Sequence, residues 1–205
     1  MYQQVAQMYQ TTEAPRGVAR RDAILRAAIK LVGEEGPDAL THRAVAERAG
    51  VAVSATTYWF SSKEEIFREA VALAASEEVE RLERLVLDLA PRHVTPAGWA
   101  HELSAALAAD FEEDPARPVA MFEFVLQASR EPSLRPEVER FDAAHLRLAE
   151  AGLRAAGSDD PETDARLVVA TITGLMLEQV TTPHPHFERA ILRPALERLF
   201  TRLAP

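Results

Sequence analysis

Along 205 residues there is no sustained alternation of apolar and polar side chains, the rhythm that a half-buried strand requires. Apolar residues recur instead at three- and four-residue spacing in a chain dominated by Ala, Leu, Glu and Arg. That periodicity predicts an all-α protein, long enough for one large or two small domains with a sizeable buried core. Cysteine is absent, which removes disulfides, thiolate catalysis and Cys-based zinc sites together. No run approaches the roughly 20 apolar residues of a membrane helix, and the start, MYQQVAQMYQTTEAP, lacks the basic, apolar and cleavage regions of a signal peptide. The expectation is a cytoplasmic protein with no membrane partner and a flexible tail over residues 1–15.

Helix boundaries follow from the turn residues. The first helix is expected over 18–35, with Ala23, Ala27 and Leu31 on one face and Gly36-Pro37 ending it. Thr41 caps a short helix over 42–49 that Gly50 terminates, and a second short helix over 53–60 follows after three residues. Two short helices joined by a Gly-containing turn are the pattern of a helix-turn-helix, placing a small domain at 16–62. Ser62 and Glu65 form a capping box for a long helix reaching residue 89, where the stretch 91–96 stops it. Prolines then divide the rest of a 63–205 domain into helices near 96–114, 117–130, 134–156, 162–181 and 186–203. Pro194 marks a kink or restart in the last.

Charge divides with the domains. The net charge is −9, yet residues 16–63 carry eight basic and five acidic side chains, net +3, whereas residues 64–205 carry fifteen and twenty-six, net −11. The first segment suits a polyanion and the second would be repelled by one. Within the positive segment, AGVAVSATTYWF has no Lys or Arg; charge stands on its flanks, at Arg43 and Arg48 before it and Lys63 after it.

The segment THRAVAERAGVAVSATTYWFSSKEEIF resembles the DNA-binding signature of TetR-family transcriptional regulators, with its Thr-capped helix, Ala-Gly-Val turn, aromatic-rich helix end and Ser-Lys-Glu-Glu step. The resemblance covers about 45 residues including the preceding helix; beyond residue 75 it is architectural only. It departs from the commoner family pattern at Ser54, near which a Gly usually stands, and at Thr56, where an aliphatic residue does. The resemblance implies a DNA-binding surface made of Thr41, His42, Arg43, Val53, Ser54, Ala55, Thr57, Tyr58 and Lys63. Thr41 would meet a phosphate, Arg43 a phosphate or guanine edge, Tyr58 a phosphate or thymine methyl, and Lys63 a backbone phosphate; His42 would assist. Val45, Ala46, Ala49, Val51, Thr56, Trp59 and Phe60 read as core of the small domain.

It further implies a homodimer through the last two helices, a palindromic double-stranded operator, and a C-terminal pocket for a small, largely apolar effector that releases the DNA. Trp99, Leu103, Met121, Phe122, Val125, Phe141, His145 and Met176 are the expected ligand-binding residues, being large or flexible apolar side chains with one histidine among them. A charged effector would need an inward carboxylate, with Glu102, Glu123 and Glu178 as candidates. His184-Pro-His186, His93 and His101 read as loop and surface residues, and no metal, cofactor or catalytic residue is expected. The competing reading is a helical ligand-binding module or an enzyme with a vestigial DNA-binding head. No nucleophile-base pair, phosphate loop or paired-carboxylate motif supports the enzyme.

Overall fold

Among the residues that the computed structural model describes, 2–89 and 95–204, there are nine α-helices and no strand, in agreement with the periodicity of the sequence. They divide into two compact units, Met1–Leu73 and Ala74–Pro205. The division falls inside the long helix rather than at its start.

In the first unit, α1 spans Tyr2–Glu35. Its backbone is helical through the segment expected to be a tail and begins well before residue 18, in keeping with the Gln, Ala and Met of that stretch, which favour helix. A single 3-10 turn, Pro37–Ala39, leads to α2 (His42–Ala49) and α3 (Val53–Trp59). Thr41 Oγ1 accepts from the Ala44 N–H at 3.1 Å, which fixes the start of α2. Gly50 closes it in the left-handed region, φ 65°, and the Val51 N–H returns to the Ala46 carbonyl at 3.0 Å, so the chain reverses within three residues. Ser62 Oγ accepts from the Glu65 N–H and Glu65 accepts from the Ser61 N–H, a capping box at the start of α4 (Lys63–Leu89). Ile24, Ala28, Val32, Val45, Phe60, Ile66 and Ala70 form the buried interior. Of the other small-domain residues expected inside, Ala46 and Thr56 are buried, whereas Ala49, Val51 and Trp59 are half-buried.

The second unit holds the remainder of α4 with α5 (Pro96–Glu113), α6 (Ala116–Arg130), α7 (Arg135–Ala156), α8 (Pro161–Thr181) and α9 (Arg193–Leu203). The stretch expected to stop α4 and His93 fall largely outside the described residues; α5 starts at Pro96 behind a Thr95 cap. α5 packs along α9, and α7 along α8. Their shared core includes Trp99, Leu103, Leu148, Leu153, Val168, Leu196 and Phe200. Before α9 the helix widens into one π-turn, Glu188–Leu192, where the Arg193 N–H bonds back to the Glu188 carbonyl. Pro194 follows at once. It lacks an N–H, and its ring would press on the carbonyl four residues back, so the wider turn meets the expected kink.

Candidate functional site

In the first unit, the surface expected to meet DNA is built on α2 and α3. Arg43, Ser54, Thr57, Tyr58 and Lys63 are exposed, and Val53 is exposed too despite being apolar. Tyr58 is the most prominent, with 77% of its surface open, and its ring is steadied edge-on by Trp59 at 5.1 Å. Ala55 is half-buried at the rim. Thr41 is exposed, but its hydroxyl oxygen already accepts the α2 cap bond, leaving the O–H free to donate.

His42 behaves differently from its neighbours. Its Nδ1 lies 3.1 Å from Thr56 Oγ1, and the Thr56 hydroxyl donates to the Val53 carbonyl at 2.8 Å. Thr56 is fully buried, so these bonds supply what a buried hydroxyl requires and tie α2 to α3. This is how the chain accommodates a threonine at a buried position between α2 and α3. The structure thus gives the His42 ring an internal bond to Thr56, with only part of the residue open to solvent.

Charge on this unit is largely neutralised in place. Arg48, expected among the flanking cations, is held by Glu34 and, at 2.9 Å, by Glu35; Arg21 is held by Glu69 at 2.6 Å, and Lys30 faces Glu34. The hydrogen bond to Arg48 keeps the Glu34 carboxyl below its usual range. Arg43 and Lys63 form no ion pair among the described residues.

In the second unit, α4 to α8 line a cavity of about 220 Å³. Leu103, Met121, Phe122, Val125, Phe141, His145 and Met176 are among its lining residues. Trp99 is not. It is buried in the core, where Gly152 leaves so little room that a Cβ there would stand 3.0 Å from the indole ring. Glu102, Glu123 and Glu178 also lie outside the lining, and the acids that do face the cavity are Glu78, Asp110 and Asp142.

Glu78 is the centre of a polar cluster on an otherwise apolar wall. Arg81 donates to both of its oxygens, at 2.5 and 3.0 Å, and Arg117 donates to Oε2 at 3.1 Å. His145 Nε2 lies 3.4 Å from Oε1, while its Nδ1 lies 3.0 Å from the Phe141 carbonyl. Arg81 also reaches Asp110 at 2.5 Å. Burial alone would raise the Glu78 carboxyl, but His145 and Arg81 outweigh it and hold the group well below the usual carboxylate range. Partial burial raises Asp110 and Asp142, and Asp142 has no ion pair among the described residues. Sequence reasoning missed Glu78, although the signal was present: it stands at helical spacing with buried Val71, Ala74, Ala75 and Leu82, an acid inside an apolar stripe.

His184 and His186 belong to the turn between α8 and the π-turn. The backbone N–H of His186 donates to His184 Nδ1 at 3.2 Å and Gln179 accepts from the backbone N–H of His184 at 2.8 Å, so the His184 ring serves loop structure. Among the described residues no group of three His, Asp or Glu is placed to hold a metal ion, and no helix is long and apolar enough to cross a membrane.

Residues 24–70 match the model for bacterial regulatory proteins of the tetR family, and residues 94–202 match the tetracyclin repressor-like C-terminal domain. A search of curated proteins gives no significant match. Among solved structures, a transcriptional regulator from Rhodococcus sp. Rha1 is 25% identical at a TM-score of 0.70, the alignment covering 89% of this chain and 95% of that one. A TetR-family member from Streptomyces coelicolor A3 is 29% identical at 0.67, covering 91% and 98%. The multidrug binding protein EbrR complexed with imidazole is 30% identical at 0.63, covering 91% and 95%; EbrR is also known complexed with ethidium and with proflavin.

Proposed function

The chain belongs to the TetR family of transcriptional regulators, and from that premise we propose that it acts in the cytoplasm as a repressor, binding a palindromic operator as a homodimer and leaving it when a small, largely apolar effector enters the cavity. One observation carries the ligand response. Glu78 and Arg81 line the cavity from α4, and the same helix begins at Lys63, inside the unit that bears α2 and α3. A ligand that prefers one setting of α4 shifts the population of settings of the attached head, and so its fit to two half-sites about one helical turn or a multiple apart.

The dimer reading is supported by α8. Leu167 and Leu177 are about half exposed, and Ala170 and Gly174 are open between them, an apolar stripe of small and large residues. Together with the half-buried Ile191, Ala195 and Leu199 side it suits a four-helix contact with two-fold symmetry. The cavity walls suit an apolar body, and Asp142 suits a donor or cation at its polar end. EbrR's ligands therefore make ethidium and proflavin sensible first probes.

Selection from a random-sequence duplex pool tests the reading. The expected result is an enriched palindrome whose binding is lost in Arg43→Ala and weakened by a ligand that also binds the isolated protein. Absence of any enriched sequence would overturn the regulator reading in favour of a helical ligand-binding module.

A further inference from the structure

The helix expected to read bases, α3, carries no cation over Val53–Trp59, and Arg48 is neutralised by Glu34 and Glu35. A further source of positive charge stands beside it. A groove in the first unit is lined by Gly17 and Arg20 of α1, Ala52, Ser54 and Ala55, and the rings of Tyr58 and Trp59. Trp59 forms part of its wall, and a Cβ in place of the Gly17 hydrogen would stand 3.6 Å from its six-membered ring. Among the described residues no acidic side chain lines the groove.

Arg20 is exposed there and forms no ion pair among the described residues, whereas Arg21, one position on, is bound to Glu69 at 2.6 Å. With Arg43 on α2 and Lys63 on α4, Arg20 makes a third cation without an ion pair among the described residues, each on a different helix flanking α3. Small side chains at Ser54 and Ala55 let a nucleic-acid backbone come close, and the Tyr58 hydroxyl offers a second donor along the same groove. A guanidinium presents parallel donors matched to two phosphate oxygens.

We propose that Arg20 and Tyr58 together seat one DNA backbone phosphate in this groove, so that α1 supplies the positive charge that α3 lacks. The assignment rests on the proposed DNA-binding function. Phosphate contacts fix register and affinity without carrying sequence information, so this seat contributes grip and leaves base preference to the α2 and α3 side chains.

The test is fluorescence anisotropy with a labelled random-sequence duplex across a salt series, followed by the selected palindrome. In Arg20→Ala, affinity should fall roughly ten-fold for each head engaged on the duplex. The slope of log K against log salt should shrink by about 0.9 for each phosphate released, or about 1.8 for two heads. Arg20→Lys should retain the slope, and base preference should be unchanged in both. Tyr58→Phe should weaken binding, and the double variant should lose less than the sum of the singles, because the two donors share one phosphate. Arg154→Ala, in the second unit, is the control, and circular dichroism verifies that α1 remains helical. Wild-type binding with an unaltered slope in Arg20→Ala would overturn the seat while leaving the regulator reading intact. Strict additivity would overturn the sharing, and a changed base preference would make Arg20 a base reader instead. A wild-type protein that binds no duplex at any salt would overturn both readings together.

Discussion

Replacing Glu78 by Gln should reveal how much the polar cluster contributes to the second unit. The side chain is 8% exposed and receives three hydrogen bonds from Arg81 and Arg117, with His145 beside it. Gln preserves the shape but removes the charge, leaving two guanidiniums in partial burial. Breaking a fully buried pair costs about 3–5 kcal/mol. Here Arg81 keeps Asp110, and Arg117 retains about a third of its surface in water, so both have an alternative. The expected loss is therefore about 2–3 kcal/mol at pH 7, which in urea moves the midpoint down by about 1 to 1.5 M at a slope near 2 kcal/mol/M. The pH dependence has a definite sign. Because the folded-state carboxyl is held below its unfolded value of about 4.3, its stabilisation is complete above that value and is lost as pH falls towards the folded one. The gap between wild type and Glu78→Gln should thus be constant between pH 7 and 5 and close on further acidification. Urea melts followed by circular dichroism at matched protein concentration measure both. Equal midpoints at pH 7, or a gap that widens in acid, would refute the electrostatic account.

Thr56→Val should destabilise the first unit by about 1–2 kcal/mol, since the Thr56 hydroxyl joins His42 to the Val53 carbonyl in a fully buried position; urea denaturation reads the loss, and no change would mean the bond contributes nothing net. Gly152→Ala should crowd the Trp99 ring, where the new Cβ would lie 3.0 Å away; expected are a lower melting temperature and a shifted indole emission, best read in a Trp59→Phe background. Leu167→Glu with Leu177→Glu should convert a dimer to monomers in light scattering while leaving the helical content intact, and an unchanged mass would place the dimer contact elsewhere.

The helices and the motif were legible because they depend on local rules. Thr41, Gly50 and the Ser62/Glu65 box each satisfy backbone groups within four residues, so the boundaries of α2 and the start of α4 could be read almost to the residue. Met121, Phe122 and Val125 line the cavity of the second unit from one helix, an arrangement that large apolar side chains close together in sequence suggest. Trp99 was misplaced because the feature that admits it to the core, the missing side chain at Gly152, lies 53 positions away in sequence. Glu78 left a local signal, an acid inside an apolar stripe, but its role depends on partners that α4, α6 and α7 bring to it, Arg81, Arg117 and His145. Arg48 carried the same ambiguity. Its charge was visible, but its neutralisation by Glu34 and Glu35 depends on how α2 lies along α1.

The π-turn at Glu188–Leu192 bears on how homologues of different length compare. It holds one more residue than an ordinary turn would, and Glu188 is anchored across it by both nitrogens of Arg193 at 2.7 Å and by the Ser104 hydroxyl at 2.9 Å. A homologue one residue shorter between 187 and 193 would need no loop gap: the deletion would remove the extra residue, restore a regular turn and leave α9 presenting the same face, with Leu196 and Phe200 still towards the core. Single-residue length changes here should therefore leave the apolar pattern of α9 intact and appear without Pro194, whose ring would press on a carbonyl of the regular turn.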